Sequence, residues 1–333
     1  LHRIAVIAQR HAHSLSRFAL RYPLTVLLAA LLLAAPLMTA AAPRALAAPV
    51  RTALAAEAGD GSWRFLTDLA QLWRNRYDPA DDLLAVRAMD GAQARLRAVN
   101  RGRGDLTVVD AATAAAHLSE YPRLTAIAVL WPNLLQAVTR NPAVQELKLP
   151  LSAETWTLHN AEFAYQALGE LTHDDAAQTA LLQRVPDDIL VDSLDYANGP
   201  ILLFTSPTPL RELTAAMNRD PRLQLLPIDG KIMDELKLAD PWLTTGKLPR
   251  GSYPNQTRNL ELPAVYQILV GRRDLPVPTV LKVLDTVYGS GNAMALFDPL
   301  FAQVNSSMNA VFGKLLPFHP VTAKRFNFTP SVP

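Results

Sequence analysis

The residues able to do covalent chemistry are few and far apart. Beyond residue 48 the histidines are His117, His159, His173 and His319, and no two stand at the short spacing of a metal-ligand motif. Cysteine is absent, so thiol nucleophiles, thiolate metal sites and disulfides are excluded. Gly102-Arg103-Gly104 lacks the Gly-Lys-Ser/Thr ending that a phosphate loop needs. No Gly-x-Gly-x-x-Gly follows the first apolar run, and no Gly-x-Ser-x-Gly nucleophile turn occurs. Asp105 and Asp110 bracket an apolar run, but even spacing along a strand does not bring two carboxylates to one substrate. What remains is binding chemistry, without catalysis, metal or cofactor.

Two segments and one tryptophan carry that chemistry. In Gly59-Asp60-Gly61-Ser62-Trp63-Arg64 the glycines allow a sharp turn, and Asp60 or Ser62 can cap a helix that follows. The N–H groups at such a helix start can receive an oxygen anion. Ser62 adds a hydroxyl, Arg64 can fork onto a carboxylate, and Trp63 can wall the apolar part. The same residues also fit an ordinary strand-to-helix turn with Trp63 in the core and Arg64 in solvent. In residues 249–256, Gly251 permits an unusual turn and Pro254 stiffens it; Tyr253 offers a ring with a hydroxyl, and Arg250 a second cation. Trp131, ahead of Pro132 and Asn133, can line a cleft or plug its floor. The ligand-binding candidates are therefore Ser62, Trp63, Arg64, Trp131, Arg250 and Tyr253.

The elements that position them alternate between strand and helix patterns, which predicts an α/β protein. Strands are expected at 51–56, 83–88, 105–110, 124–130, 134–138, 201–204, 223–227 and 264–270. Trp63, Leu66, Ala70, Trp73 and Tyr77 recur every three or four residues and make one helix face, as do Met89, Ala92, Leu96 and Val99. An alanine-rich helix follows Asp110, residues 151–184 read as mainly helical, and further helices fit 210–217 and 278–288. The tail reads as helical up to Pro317 and irregular from His319 to Pro333. These patterns divide the chain into an amino-terminal segment 1–47, a first α/β lobe 48–137, a second lobe 138–250, and a return 251–333 that completes the first lobe. A cleft between two such lobes suits a small molecule.

The amino-terminal segment has its own chemistry. Residues 22–43 form a run of 22 without charge, containing Tyr22, Leu24, Leu28, Leu32, Pro36 and Pro43. Arg3, Arg10, Arg17 and Arg21 precede it, Arg44 follows it, and no acid occurs before Glu57. That length is sufficient to cross a bilayer, and the arginines hold its start on the cytoplasmic side. Ala45-Leu46-Ala47 has the form of a signal-peptidase site, so the segment reads either as a cleaved signal peptide or as a retained anchor. Both place the remainder in the periplasm, with inner-membrane anchoring in the second case. Residues 1–47 hold five arginines and no acid, so the formal charge of +2 becomes −3 for the rest. The basic balance is thus a targeting signature, and nucleic acid is not an expected partner.

The order of features in residues 51–328 resembles the TAXI family of solute-binding proteins, the extracytoplasmic receptors of TRAP-type transporters. The resemblance rests on Gly59-Asp60-Gly61-Ser62-Trp63, the run from Asp105 to Asp110, and the run 124–138 with its prolyl break. Later pieces are Leu226-Pro227-Ile228-Asp229-Gly230, Gly251-Ser252-Tyr253-Pro254-Asn255-Gln256 and Phe318-His319-Pro320. It implies a bilobal periplasmic-binding-protein-like (type II) fold behind an N-terminal apolar helix. It also implies a carboxylate-bearing solute handed to an integral membrane permease. The chain departs from the family's pattern where Asp60 splits the glycines and Trp63-Arg64 replaces paired tyrosines. A second departure is the glycine-free stretch 149–156, which carries Glu154. These departures leave a second reading: a membrane-tethered subunit with a reduced cleft that docks on another inner-membrane protein complex.

Overall fold

Short runs of valine, leucine and alanine, each followed by an amphipathic stretch, build successive strand–helix units. The computed structural model describes residues 50–56, 60–78, 83–148, 201–289 and 298–329, with the backbone of 156–159. Residues 1–47, and with them Tyr22, Leu24, Leu28, Leu32, Pro36 and Pro43, lie outside these. Among the described residues no helix is long and apolar enough to cross a membrane. Three units open the fold: β1 (Val50–Ala55) with α1 (Gly61–Arg76), β2 (Leu83–Ala88) with α2 (Ala92–Asn100), and β3 (Leu106–Asp110) with α3 (Ala111–Leu118). β1 pairs in parallel with β2 on one side and β3 on the other. The helices form as their composition directs: Asp60 and Asp110 accept N–H groups at the starts of α1 and α3, and α1 buries Phe65, Leu66, Leu69, Ala70 and Trp73.

The chain then runs along β4 (Leu124–Thr139) into a second region. This region contains β5 (Trp156–His159), β6 (Ile201–Ser206), α4 (Arg211–Arg219), β7 (Gln224–Leu226), α5 (Gly230–Ala239) and β8 (Thr244–Leu248). It returns along β9 (Leu260–Arg272), which lies antiparallel between β3 and β4. α6 (Val277–Tyr288), a 3₁₀ turn (Pro299–Gln303), α7 (Met308–Phe312) and α8 (Pro320–Arg325) finish the chain. One mixed sheet results, in the order β2-β1-β3-β9-β4-β6-β5, with β7 added to β4 and β8 to β9.

Apolar packing divides this sheet. Alternate residues of β1, β3 and β9 face two different clusters: Ala53, Val108 and Leu269 join Phe65, Trp73 and Val283, whereas Leu54, Val109 and Ile268 join Leu96, Leu118 and Phe312. These are the two faces of a first half. A separate cluster of Leu134, Val138, Phe204, Leu213, Ile232 and Leu262 makes the core of a second half. β4 enters the third cluster at Leu134, and β9 contributes to it only up to Ala264. Both strands thus carry the sheet from one core to the other.

Three expectations need correction. The two strands expected at 124–130 and 134–138 are one strand. Pro132 supplies no N–H, and the register against β9 slips between Ala126 and Ala128 and again between Val129 and Pro132, so pairing continues through bulges. The tail beyond His319 is helical at α8, because Pro320 occupies the first helical position, where a missing N–H costs nothing. Within the stretch 151–184 read as helical, residues 156–159 form β5, parallel to β6, and the rest lies outside the described residues. α5 and β8 were not expected from the pattern, and β9 extends beyond its expected 264–270 to pair with β8.

Candidate ligand-binding site

In an open α/β sheet, ligands bind beyond the carboxyl ends of the strands where the strand order reverses. That reversal falls between β1 and β3, because β2 and β3 flank β1 on opposite sides. α1 and α3 start there. Asp60 Oδ1 accepts the Ser62 N–H at 2.7 Å, and Asp110 Oδ1 accepts the Thr113 N–H at 2.8 Å. The Ser62 hydroxyl donates to the same Asp60 oxygen and accepts from Ala56 N–H at 3.1 Å. Ser62 therefore ties the end of β1 to the start of α1. Beneath these caps lies Arg95, 6% exposed, donating from Nη1 to the Met89 carbonyl (3.2 Å) and from Nη2 to the Val108 carbonyl (3.3 Å). Burial pulls its pKa down, and the charges of Asp60, Asp110 and Asp90 push it back up. The charges of three carboxylates, one beyond the end of each of three parallel strands, thus act on one guanidinium.

Arg64 sits in the first turn of α1, with its side chain 30% exposed. Its Nε donates to Asp298 Oδ2 at 2.8 Å and its Nη2 to the same oxygen, so an internal carboxylate already engages the group expected to meet a solute. Asp68, one helical turn further on, has its pKa raised by burial and by the Asp298 charge, with Arg64 opposing. Trp63 is half-buried against the first-half core. Trp131 is 1% exposed and meets Phe65 at a tilt (centroids 5.2 Å apart) and Phe301 edge-on (5.8 Å), while its Nε1 donates to Asn133 Oδ1 at 3.0 Å. It sits where β4 passes from the first core to the second.

The turn 249–256 is knit by its own hydrogen bonds. Gly251 adopts φ +78°, which glycine enters without strain, its N–H donates to the Gln256 carbonyl at 3.0 Å, and Tyr253 N–H donates to Gln256 Oε1 at 3.2 Å. Tyr253 is 2% exposed, and its hydroxyl accepts the Leu210 N–H at 2.7 Å. Burial drives the Tyr253 pKa well up, against hydrogen bonds to Leu210 and Gln136 that favour the phenolate. Arg250, by contrast, is exposed, and its backbone N–H donates to Asn259 Oδ1. The structure therefore brings Ser62, Trp63, Arg64 and Trp131 to one region, around α1 and the β4 crossing. Tyr253 pins the loop after β6, and Arg250 faces solvent.

Sequence reasoning missed Asp298, Arg95, Gln303 and Thr208. Gln303 Nε2 donates to the Thr208 carbonyl at 2.5 Å and to Thr208 Oγ1 at 2.6 Å. No local pattern marks these residues, since Asp298 lies 234 positions from Arg64 and Gln303 lies 95 from Thr208. Of the histidines, His117 faces Glu120 and stacks on Tyr121, and His319 caps α8. Among the described residues no group of three or more His, Cys, Asp or Glu side chains could hold a metal ion.

No family model matches the chain, and no curated protein matches it. Solved structures do. The periplasmic binding protein BugD is similar with a TM-score of 0.45 at 13% identity, covering 77% of this chain and 87% of its own. The GluR0 ligand-binding core, in complex with L-glutamate, matches with a TM-score of 0.43 at 10% identity, over 78% of this chain and 98% of its own. Tv2483, bound to L-arginine, matches with a TM-score of 0.42 at 12% identity, over 77% of this chain and 90% of its own.

Proposed function

We propose that the chain is a non-enzymatic, extracytoplasmic solute-binding receptor whose two lobes close on a small molecule. The observation that carries this reading is the passage of β4 and β9 between two separate apolar cores, next to a strand-order reversal capped by two helix starts. In this reading the first lobe is 48–137 completed by 251–333, the second is 138–250, and motion is absorbed where β4 is bulged near Pro132. The solute carries a carboxylate that competes with Asp298 for Arg64, and an ammonium group on the same solute suits the acids Asp60, Asp90 and Asp110. The finer form of the proposal is a TAXI-like receptor delivering that solute to a TRAP-type integral membrane permease.

Calorimetric titration of the full chain in mild detergent with L-glutamate, L-arginine and 2-oxoglutarate tests it. Saturable one-to-one binding of at least one is expected, and no binding of any of them would oppose the reading. A second reading is favoured by the ion pair already on Arg64: a tethered subunit that keeps the fold, has a reduced cleft and docks on another inner-membrane complex. Extraction from native membranes followed by co-purification should then recover a stoichiometric partner without added solute; a consistently solitary chain would count against it.

A further inference from the structure

We propose that residues 298–303 form a strap that holds the two halves of the sheet closed over the candidate site, an inference that rests on the solute-binding reading for its role. The strap is fixed to the first half at two points. Asp298, 8% exposed, holds Arg64 of α1, and the buried Phe301 meets Phe65 edge-on at 5.3 Å and Trp131 at 5.8 Å. Its far end reaches the second half. There the Gln303 carboxamide donates both to the Thr208 carbonyl and to Thr208 Oγ1. Thr208 is buried in the loop between β6 and α4, which Tyr253 holds through Leu210 and which leaves β6 at Ser206, itself bound by Gln136. The loop is therefore a fixed part of the second half, and Gln303 is grasping structure.

The two ends differ in kind. An ion pair and an aromatic cluster anchor the first, whereas one amide group makes the second. Separation of the halves at the β4 bulge breaks the Gln303–Thr208 contact first, because its loss exposes only groups that water can satisfy. A solute reaching Arg64 must thus displace an internal carboxylate on a segment whose other end bars the halves from parting. The strap sets both the entry of solute and the resting position of the halves.

Distances between spin labels test this on the full chain in mild detergent. The protein has no cysteine, so Gln93→Cys on α2 and Asn218→Cys on α4, both exposed, label one site in each half. The parent pair should give one narrow distribution. Gln303→Ala should raise the longer-distance population on the order of ten-fold, as expected for the loss of a paired hydrogen bond. Thr208→Val keeps the buried volume and removes only the hydroxyl acceptor, so a smaller shift in the same direction is expected; it supplies the readout if Gln303→Ala does not fold. Distributions of the folded variants that superimpose on the parent's overturn the strap. Calorimetry on the same samples separates the two proposals. Lengthened distances with no solute bound leave the strap and remove the solute reading, whereas solute bound with unchanged distances does the reverse.

Discussion

At the scale of single residues, the decisive contact is Arg64 with Asp298. A guanidinium engaged by a largely buried carboxylate is not available to a solute without exchange, so in the proposed receptor Asp298 is the group an acidic solute has to displace. Asp298→Asn is expected to tighten carboxylate binding about ten-fold. Arg64→Ala should weaken it by on the order of 2–5 kcal/mol, and equal affinities for parent and Arg64→Ala would remove the assignment. The pairing also explains why Arg64 was only half legible. Its position after a Gly-Asp-Gly turn marks a helix start, but nothing near it in sequence announces a partner 234 positions away. A second residue acts through pH. His319 is buried, its pKa lowered first by desolvation and also by the charge of Arg273, while hydrogen bonds to the Arg273 and Leu275 backbone oppose. The folded state therefore holds His319 neutral below its usual value of 6.5. The resulting stability is present above that value and is lost as pH falls from there toward the folded pKa. Urea midpoints for the parent should drop between about pH 7 and pH 5 more steeply than for His319→Gln; parallel drops would contradict it.

At the scale of elements, the β4 bulge is the feature with most consequence. Breaking the register at Pro132 leaves Val129 with polar groups to satisfy, and two side chains from the end of the chain do so. Asn309 Oδ1 accepts the Val129 N–H at 2.9 Å, and the Tyr288 hydroxyl donates to the Val129 carbonyl at 2.6 Å. Thr322 Oγ1 donates to the Ile127 carbonyl at 2.9 Å beside them. Asn309→Ala strands a buried N–H and should cost about 1–3 kcal/mol in urea unfolding, with little change for a substitution at the exposed Asn218. Gly271, where β9 passes between β3 and β4, is a second fixed point. A Cβ there would overlap Ile127, Leu106 and Leu275, so Gly271→Ala should destabilise by about 1–3 kcal/mol. The strands β1 to β3 and helices α1 to α3 were legible because alternation and three-to-four spacing are local properties. β4 read as two strands because a proline inside an apolar run ordinarily ends it. Bulged pairing with β9 carries it through, and the distant Asn309 and Tyr288, invisible from that stretch, take up the polar groups of Val129. The start of α8 was lost for the opposite reason: the tail was read as irregular from His319 onward, whereas Pro320 opens a helix.

At the scale of the whole molecule, one sheet has separate cores on its two halves, β4 and β9 run from one to the other, and residues 298–303 span the passage from Arg64 in the first half to Thr208 in the second. The alternation of strands and helices foretold the α/β class. The long-range closure did not appear in the sequence, since it depends on single polar contacts between residues far apart in the chain. The central claim is that the halves close on a small carboxylate-bearing solute, and the distance between labels at Gln93→Cys and Asn218→Cys measures it most directly. In the Gln303→Ala background, saturating whichever of L-glutamate, L-arginine or 2-oxoglutarate binds should return the lengthened distribution to the narrow, short one of the parent. A bound solute that leaves the lengthened distribution unchanged would contradict the account.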